Sequence, residues 1–286
     1  MAGMRIKLPM LASDSLVVGC SDNSKLGPGQ CGVTYRPVGA GDSGTCPSTC
    51  MFLPASLGGM SPAALAARIV SGAAGSPAAF RAAAAVWASE ISSSKFGRCY
   101  AASGRVKFSA LRSMGSSADL RAIPSSLDAR LHISGDFIRR GRSYDVRRPS
   151  ASIDWEYVQV VCDWARGRSG AVWVYTHIPS RRLLDTLTAA GITAWLSCDT
   201  WAAATRWMRA GYRVTVAGSL PYLRAFRAAL AVVGLGGGAW CPWDLSLAHG
   251  HTVKQLTGVV SCTECRKCID GGDSGQLPSC IFFVVH

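Results

Sequence analysis

The sequence predicts an α/β protein, a partial or irregular (β/α) TIM-like barrel with an N-terminal cysteine loop, a helical insertion and a C-terminal cysteine-rich module. From residue 127 onward, short apolar runs alternate with amphipathic segments, which is the rhythm of β-α units with a parallel sheet. The proposed strands are spaced by roughly 20 to 40 residues, which fits an incomplete barrel. A chain of 286 residues with 49% apolar side chains also has enough material for a core.

Four strands and four helices are predicted for the barrel. The strands are placed at 129–134, 171–176, 194–198 and 213–217. The helices are placed near 153–166, 180–190, 200–210 and 220–233. Because each apolar run is followed by a helical pattern, these elements are expected to form successive β-α units.

Composition divides the chain into four regions. Residues 1–60 are rich in Gly, Ser and Pro and are predicted to be an irregular segment that bears cysteines. Residues 61–97 hold two alanine-rich helices, each opened by a Ser-Pro pair that supplies a cap and a first helical residue, and they are interpreted as an insertion. Residues 98–238 form the predicted barrel core, and residues 239–286 form a predicted metal-binding module.

Charge indicates a polyanionic partner. The chain has 30 Lys+Arg against 17 Asp+Glu, a formal net charge of +13. Most of these cations are arginines, whose planar guanidinium suits phosphate, so DNA or RNA is the expected partner. The N-terminus lacks the apolar run of a signal peptide, and no long uncharged apolar stretch follows, so we expect a cytoplasmic protein with no membrane contact.

The C-terminal cysteines predict a metal centre. The run C-x2-C-x2-C consists of Cys262, Cys265 and Cys268. A two-residue gap lets successive thiolates surround one centre, and Cys241 upstream is a candidate fourth ligand. Zinc sites usually come as two separated pairs, so the triple run favours iron and sulfur. Cys280 and His286 are alternatives to Cys241, because mixed ligand sets are common for zinc.

A second cysteine set precedes the barrel. Cys46 and Cys50 lie in TCPSTCMF, and Cys99 lies in GRCYA beyond the alanine-rich helices. Three cysteines would leave one iron of a [4Fe-4S] cluster open to a small molecule, which is the arrangement of radical S-adenosylmethionine enzymes. The alternatives are a small structural zinc site and unrelated thiols.

Two aspartates follow predicted strands. Gly135 and Asp136 come directly after the strand at 129–134, and Asp199 follows the strand at 194–198. Active sites of β/α barrels lie at these carboxyl ends, so both acids are expected to face one pocket, where Asp136 can receive an amine or a nucleobase edge. Asp199 can instead cap the next helix. His132 and His177 also lie near strand ends and are interpreted as core residues.

Taken in order, these motifs resemble the phage and plasmid family called gene product eighty-eight over most of the chain. The matching motifs are NSKLG at Asn23, CPSTC at Cys46, CYA at Cys99, RLHISGDF at Arg130, VYTH at Val174, WCP at Trp240 and CTECRKC at Cys262. The family's cysteine pattern and β/α rhythm are similar to radical S-adenosylmethionine proteins. The resemblance therefore implies an enzyme of the host cytoplasm that modifies nucleic acid or a nucleobase precursor.

The resemblance also implies the site residues. It assigns a catalytic [4Fe-4S] cluster to Cys46, Cys50 and Cys99, and the methionine amine of S-adenosylmethionine to Ser134, Gly135 and Asp136. It assigns a second cluster to Cys241, Cys262, Cys265 and Cys268. Radical enzymes keep the three catalytic cysteines close together, whereas residues 51–98 separate Cys50 from Cys99 here. Either the helical insertion folds away as a lid, or the likeness is one of architecture alone.

Two other functions fit the same residues. The barrel resembles tRNA-guanine transglycosylases and their DNA-acting phage relatives, which insert 7-deazaguanines by means of two strand-end aspartates. In that comparison Asp199 and Asp136 are the catalytic pair, and zinc is bound by the C-terminal cysteine run together with His286. That reaction needs an extruded base or a single strand. The third possibility is a nucleic-acid-binding protein that is stabilised by metal and has no enzymatic activity.

Overall fold

Strands and helices alternate along most of the described chain. The computed structural model of the protein describes residues 17–20, 26, 30–36, 46, 59–92, 119–134, 136–139, 141–142, 144–236, 238–251, 261–271 and 275–284. The strands are Val17–Cys20 (β1), Gly32–Tyr35 (β2), Ala129–Ser134 (β3), Val172–Thr176 (β4), Ile192–Ser197 (β5), Val214–Gly218 (β6), Gly238–Trp240 (β7) and Cys280–Val284 (β8). The α-helices are Pro62–Gly72 (α1), Ala78–Ser92 (α2), Trp155–Arg166 (α3), Arg181–Ala189 (α4), Trp201–Arg209 (α5), Leu220–Val232 (α6), Pro242–Ala248 (α7) and Cys262–Cys265 (α8).

The strands form one sheet in the order β1-β2-β3-β4-β5-β6-β8-β7. Strands β2 to β8 are parallel, and β1 pairs with β2 in the antiparallel direction. From β2 to β6 the order in the sheet is the order in the chain, as successive β-α units require. The predicted α/β class with a parallel sheet is therefore confirmed. In the described residues, the pairings end at β1 on one side and at β7 on the other.

The two faces of the sheet bury different side chains. Val172 and Val174 of β4 contact the helices in the main hydrophobic core. Trp173 and Tyr175 alternate with them and contact clusters that include cysteines of the two terminal segments. Successive side chains of a strand point to opposite faces, so a near-continuous apolar run such as β4 fills both layers.

Side-chain oxygens set where several helices begin. Each of the residues before α1, α3, α4 and α5 accepts a backbone N–H of the first turn, and these residues are Ser61, Asp154, Ser180 and Thr200. Such caps satisfy donors that have no partner within the helix. Thr200, and not Asp199, therefore caps α5, which corrects the alternative predicted for Asp199. Before α2, the hydroxyl of Ser76 donates to the carbonyl of Ala73 at 2.6 Å, so this serine closes the turn of the hairpin.

The alanine-rich hairpin of α1 and α2 is docked on the helical layer. Phe80 and Trp87 are each 1% exposed. The ring centroid of Phe80 lies 5.2 Å from those of Trp201, Tyr222 and Phe226, which belong to α5 and α6. The segment interpreted as an insertion thus supplies part of the main core.

The sheet extends beyond the predicted core range of 98–238. Strands β1 and β2 lie in the first 60 residues, which were predicted to be irregular, and β7 and β8 lie at or after residue 238. Each of these additional strands is only three to five residues long. Pairing with a neighbouring strand defines them more than local propensity does. Among the described residues, none of the helices is both long enough and apolar enough to cross a membrane.

Candidate active site

Three polar side chains from successive strand ends meet at the carboxyl edge of the sheet. Asp136 follows β3, His177 follows β4 and Asp199 follows β5. The backbone N–H of His177 donates to Asp136 Oδ2 at 2.7 Å, and its Nδ1 lies 3.9 Å from the same oxygen. A protonated His177 also lowers the pKa of Asp199, so these two groups are near enough to interact electrostatically. The imidazole, 24% exposed, thus lies beside one buried carboxylate and interacts with a second.

Asp136 is held by protein groups on both carboxylate oxygens. Its Oδ1 accepts from the Thr176 hydroxyl at 2.6 Å and from the Phe137 N–H at 2.8 Å. Arg36, which follows β2, donates to the backbone carbonyl of Asp136 at 2.8 Å. Charge-assisted hydrogen bonds of this kind are stronger than neutral ones. The carboxylate therefore fixes the loop after β3 to the end of β4 and, through it, the backbone of His177.

Burial changes how readily the acids of this site ionise. It raises the pKa of Asp136 above the ordinary value of 3.8, against the opposing influences of His177 and the hydrogen bond from Thr176. It also raises the pKa of Asp199, against the charges of His177 and Arg68. Both carboxyl groups hold protons more tightly than they do in water, which is a common property of active sites.

Two further side chains reach the site from outside the sheet. Arg68 of α1 places its Nη2 3.6 Å from Asp199 Oδ2. Tyr144, in the segment between β3 and α3, interacts electrostatically with Asp136, Asp199 and Arg68. Its hydroxyl is buried and has no hydrogen-bond partner in the part of the chain that the structure describes. We define the carboxyl-edge cluster as Arg68, Asp136, Tyr144, His177 and Asp199.

An irregular strand precedes Asp136. His132 in β3 has a φ of +54°, and the pairing of β2 with β3 shifts register at this point. Its N–H donates to the Thr34 hydroxyl at 2.8 Å, and its Nε2 lies 2.9 Å from the Tyr157 hydroxyl. A β-bulge bends a strand and redirects the residues after it. His132 is 4% exposed, so it is a core residue, as the sequence indicated.

The C-terminal cysteine module covers the other face of the sheet. Cys268 hydrogen-bonds Tyr175 and contacts the hydrophobic cluster that contains Cys241 and Trp195. Cys262 interacts with Cys31, whose thiol pKa is raised by burial to about 12. Cys262 and Cys268 both interact with Tyr175, so these two cysteines of the predicted set lie near one side chain. Among the described residues, no three His, Cys, Asp or Glu side chains are placed to hold a metal ion.

This module is attached toward the amino ends of the strands. Arg266 pairs with Asp128, which directly precedes β3, at 2.5 Å. The hydroxyl of Thr193 near the start of β5 donates to the carbonyl of Ile269 at 2.9 Å. Trp195 donates to the carbonyl of Cys268 at 2.8 Å. Tyr175, which Cys268 hydrogen-bonds, lies near the carboxyl end of β4, so the module extends along the strands on this face of the sheet.

The remaining predicted site residues are distributed over several parts of the fold. Cys46 is buried, and Ser134 ends β3. Gly135, Cys50, Cys99 and His286 lie outside the described residues. Cys265 ends α8, and Cys280 begins β8 in the core. The assignment of the three N-terminal cysteines to one cluster stays a prediction.

Sequence reasoning missed three members of the carboxyl-edge cluster. His177 was interpreted as a core residue, although it follows its strand just as Asp136 and Asp199 follow theirs. That shared position is the signal that identifies it. Arg68 and Tyr144 come from elements outside the sheet, and no local pattern in the sequence connects them with the strand ends.

Comparison with known proteins supplies no relative. No family model matches the chain, no curated protein is similar to it, and no solved structure matches its fold. The resemblance to gene product eighty-eight thus depends on the motifs alone. Function is accordingly argued from the geometry of the site.

Proposed function

We propose that this protein is an iron-sulfur, radical S-adenosylmethionine-like enzyme whose substrate binds at the carboxyl edge of the sheet. The observation that supports this proposal best is the convergence of Asp136, His177 and Asp199 from three successive strand ends. Parallel β/α sheets bind ligands at this edge. The sequential order of β2 to β6 is also the order that a partial barrel requires.

The carboxyl-edge cluster has groups that can bind and orient a polar substrate. His177 is the partly exposed member, and an imidazole can donate or accept a proton near neutral pH. Arg68 offers guanidinium donors beside Asp199. The buried hydroxyl of Tyr144 forms no hydrogen bond with Asp136 or Asp199, so it can donate one to a ligand. The hairpin of α1 and α2 brings Arg68 to this edge, beside the buried Asp199.

The cofactor follows from the resemblance of the cysteine motifs. Cys46, Cys50 and Cys99 would hold the catalytic cluster, and the buried position of Cys46 is compatible with a site shielded from water. When bound, such a cluster supplies the electron that cleaves S-adenosylmethionine reductively. The chain's own contribution is to bind the substrate beside His177 and to exclude water. The described part of the C-terminal set does not form a group of ligands for a second cluster, and no step depends on it.

Anaerobic purification followed by iron, sulfide and zinc analysis tests this proposal. We expect about four irons and four sulfides for each cluster present. With dithionite, the protein should convert S-adenosylmethionine to 5′-deoxyadenosine. Cys50→Ala should lose both iron and this activity. Cys162→Ala is the matched control, because Cys162 is a buried thiol of α3 outside both predicted ligand sets.

Zinc without iron, together with no 5′-deoxyadenosine, would contradict the radical mechanism. It would favour the second candidate, a transglycosylase-like base exchange. That candidate is favoured by one observation, which is that two buried strand-end aspartates share one polar cluster. Its test is incorporation of labelled guanine or a 7-deazaguanine into nucleic acid, which Asp199→Asn should abolish. Bound metal without either activity would favour the third possibility, a nucleic-acid-binding protein that is stabilised by metal.

A further inference from the structure

Two neighbouring grooves on the helical side of the molecule are lined by arginine. The first has a volume of about 450 Å³ and lies between α4, α5 and the segment before α3. The second has a volume of about 370 Å³ and lies between α5, the end of α1 and the end of α6. The cations that line them are Arg181, Arg182, Arg206 and Arg209. Arg206 of α5 lines both grooves, so the two are neighbours along this helix.

These four guanidinium groups are available to a ligand. Among the described residues, none of the four forms an ion pair with a carboxylate. Arg166 and Arg266, by contrast, are each paired with an aspartate. No acidic side chain is among the residues that line either groove. An anion that enters would therefore meet positive charge without competing carboxylates.

Aromatic rings support two of the arginines. The guanidinium carbon of Arg182 lies 4.3 Å from the ring centroid of Trp155, and that of Arg206 lies 5.6 Å from that of Trp207. A stacked guanidinium keeps its N–H donors at its edges, where they can bind phosphate oxygens. Because the group is already oriented, less side-chain entropy is lost on binding.

The grooves begin beside the carboxyl-edge cluster. Pro179 in the first groove is two residues from His177, and Trp201 in the second groove is two residues from Asp199. The same two loops therefore supply both the polar cluster and the groove walls. A strand held in the grooves by its phosphates would pass next to His177.

We propose that the two grooves bind the phosphodiester backbone of a nucleic-acid strand and present that strand to the carboxyl-edge cluster. Four arginines without ion pairs among the described residues line these grooves, which suits the repeated phosphates of a strand, and the chain as a whole carries a net charge of +13. The proposal deepens the proposed function by naming its substrate class, and it depends on that function only for the chemistry next to the grooves. Binding itself requires neither metal nor S-adenosylmethionine.

Fluorescence anisotropy with labelled 20-nucleotide single strands of DNA and RNA tests the proposal on the full chain. The assay contains no S-adenosylmethionine and no reductant, so it remains informative if the proposed chemistry fails. Arg181→Ala/Arg182→Ala should weaken binding by about 10-fold or more at about 0.1 M salt and reduce the salt slope by about 1.4, at about 0.7 for each phosphate contact. Arg206→Ala should reduce the salt slope by about half as much, about 0.7, because it removes one phosphate contact.

The matched control is Arg224→Ala/Arg227→Ala, which removes two exposed arginines of α6 that line neither groove. We expect it to weaken binding by less than about 2-fold, since the lost charges act only at a distance. The variants are compared on whichever of the two labelled strands the wild type binds more tightly. Equal losses in both double variants would overturn the proposal, because binding would then follow net charge alone. Competition by a mononucleotide as strong as by the strand would also overturn it, as would no binding by the wild type at about 100 μM protein.

Discussion

Docking of the alanine-rich hairpin can be tested by Phe80→Ala. Phe80 is 1% exposed, and its ring contacts three aromatic rings of α5 and α6 at centroid distances of 5.2 Å. Truncation of a buried phenylalanine costs about 3–5 kcal/mol, from lost transfer free energy and from the cavity that remains. Each aromatic pair contributes about 0.5–1.5 kcal/mol beyond the buried area. The expected loss in free energy of unfolding is therefore near the upper end of that range, about 5 kcal/mol.

The assay is urea unfolding followed by circular dichroism, with Val86→Ala as the control. Val86 lies on the same helix but is 58% exposed, so its truncation should cost less than about 0.5 kcal/mol. Phe80→Leu keeps much of the apolar volume and should cost about 1 kcal/mol, which gives a measurable variant if the alanine variant does not fold. Hydrogen exchange in α1 and α2 should become faster in Phe80→Ala than in the control.

A loss below about 1 kcal/mol for Phe80→Ala would refute the reasoning, because a docked ring with three aromatic neighbours cannot be removed at so small a cost. The hairpin would then be a separate insertion, as the sequence first indicated. The result matters for the site, since α1 carries Arg68, which lies beside Asp199.

Three further predictions concern the carboxyl-edge cluster. Asp136→Ala leaves three hydrogen-bond donors without an acceptor, at a cost of about 1–3 kcal/mol each. Thermal and urea unfolding should therefore show that the variant loses several kcal/mol of stability, and Asp136→Asn should lose less. Wild-type stability in both variants would contradict this. The pKa of Asp199 is raised in the folded state, so its stabilising contribution is full below the unfolded value of 3.8 and is lost as pH rises through the folded pKa. Asp199→Asn should thus flatten the decrease in unfolding free energy as pH rises above 3.8, and an unchanged slope would argue against a raised pKa. His177→Ala should change the free energy of unfolding by less than about 1 kcal/mol, because the hydrogen bond to Asp136 comes from the backbone of His177. The same variant should abolish turnover in whichever activity assay succeeds. Full turnover would show that the His177 side chain has no role in the site.

The central strands and helices could be predicted because local and tertiary preferences agree there. The predicted strand at 129–134 coincides with β3, and α4, α5 and α6 begin within one residue of their predicted positions. Each has an apolar run or an amphipathic period that one neighbouring layer can bury. Strands β1, β2 and β7 have three or four residues each, in surroundings rich in Gly and Ser. Strands β2 and β7 pair with strands far away in the chain, and β1 pairs, within the described residues, only with β2, so no local pattern identified them.

The site was predicted only in part, for a similar reason. The position of Asp136 and Asp199 after parallel strands was sufficient to place both at one edge of the sheet. The anchoring of Asp136 by Thr176 and Arg36 depends on side chains that are 40 and 100 residues away in the chain. Arg68 reaches Asp199 only because the hairpin docks on α5 and α6. These contacts are consequences of the tertiary fold, and periodicity carries no information about them.

The cysteine module and the carboxyl-edge cluster both contact strand β4. Cys268 hydrogen-bonds Tyr175, which lies two residues before His177 in the chain. Successive side chains of a strand point to opposite faces, and the next residue, Thr176, donates to Asp136 of the carboxyl-edge cluster. A centre held by Cys262, Cys265 and Cys268 would therefore act on His177 through β4. The proposed radical chemistry needs a cluster on the same side of the sheet as Asp136, so it depends on whether Cys46, Cys50 and Cys99 form one site there.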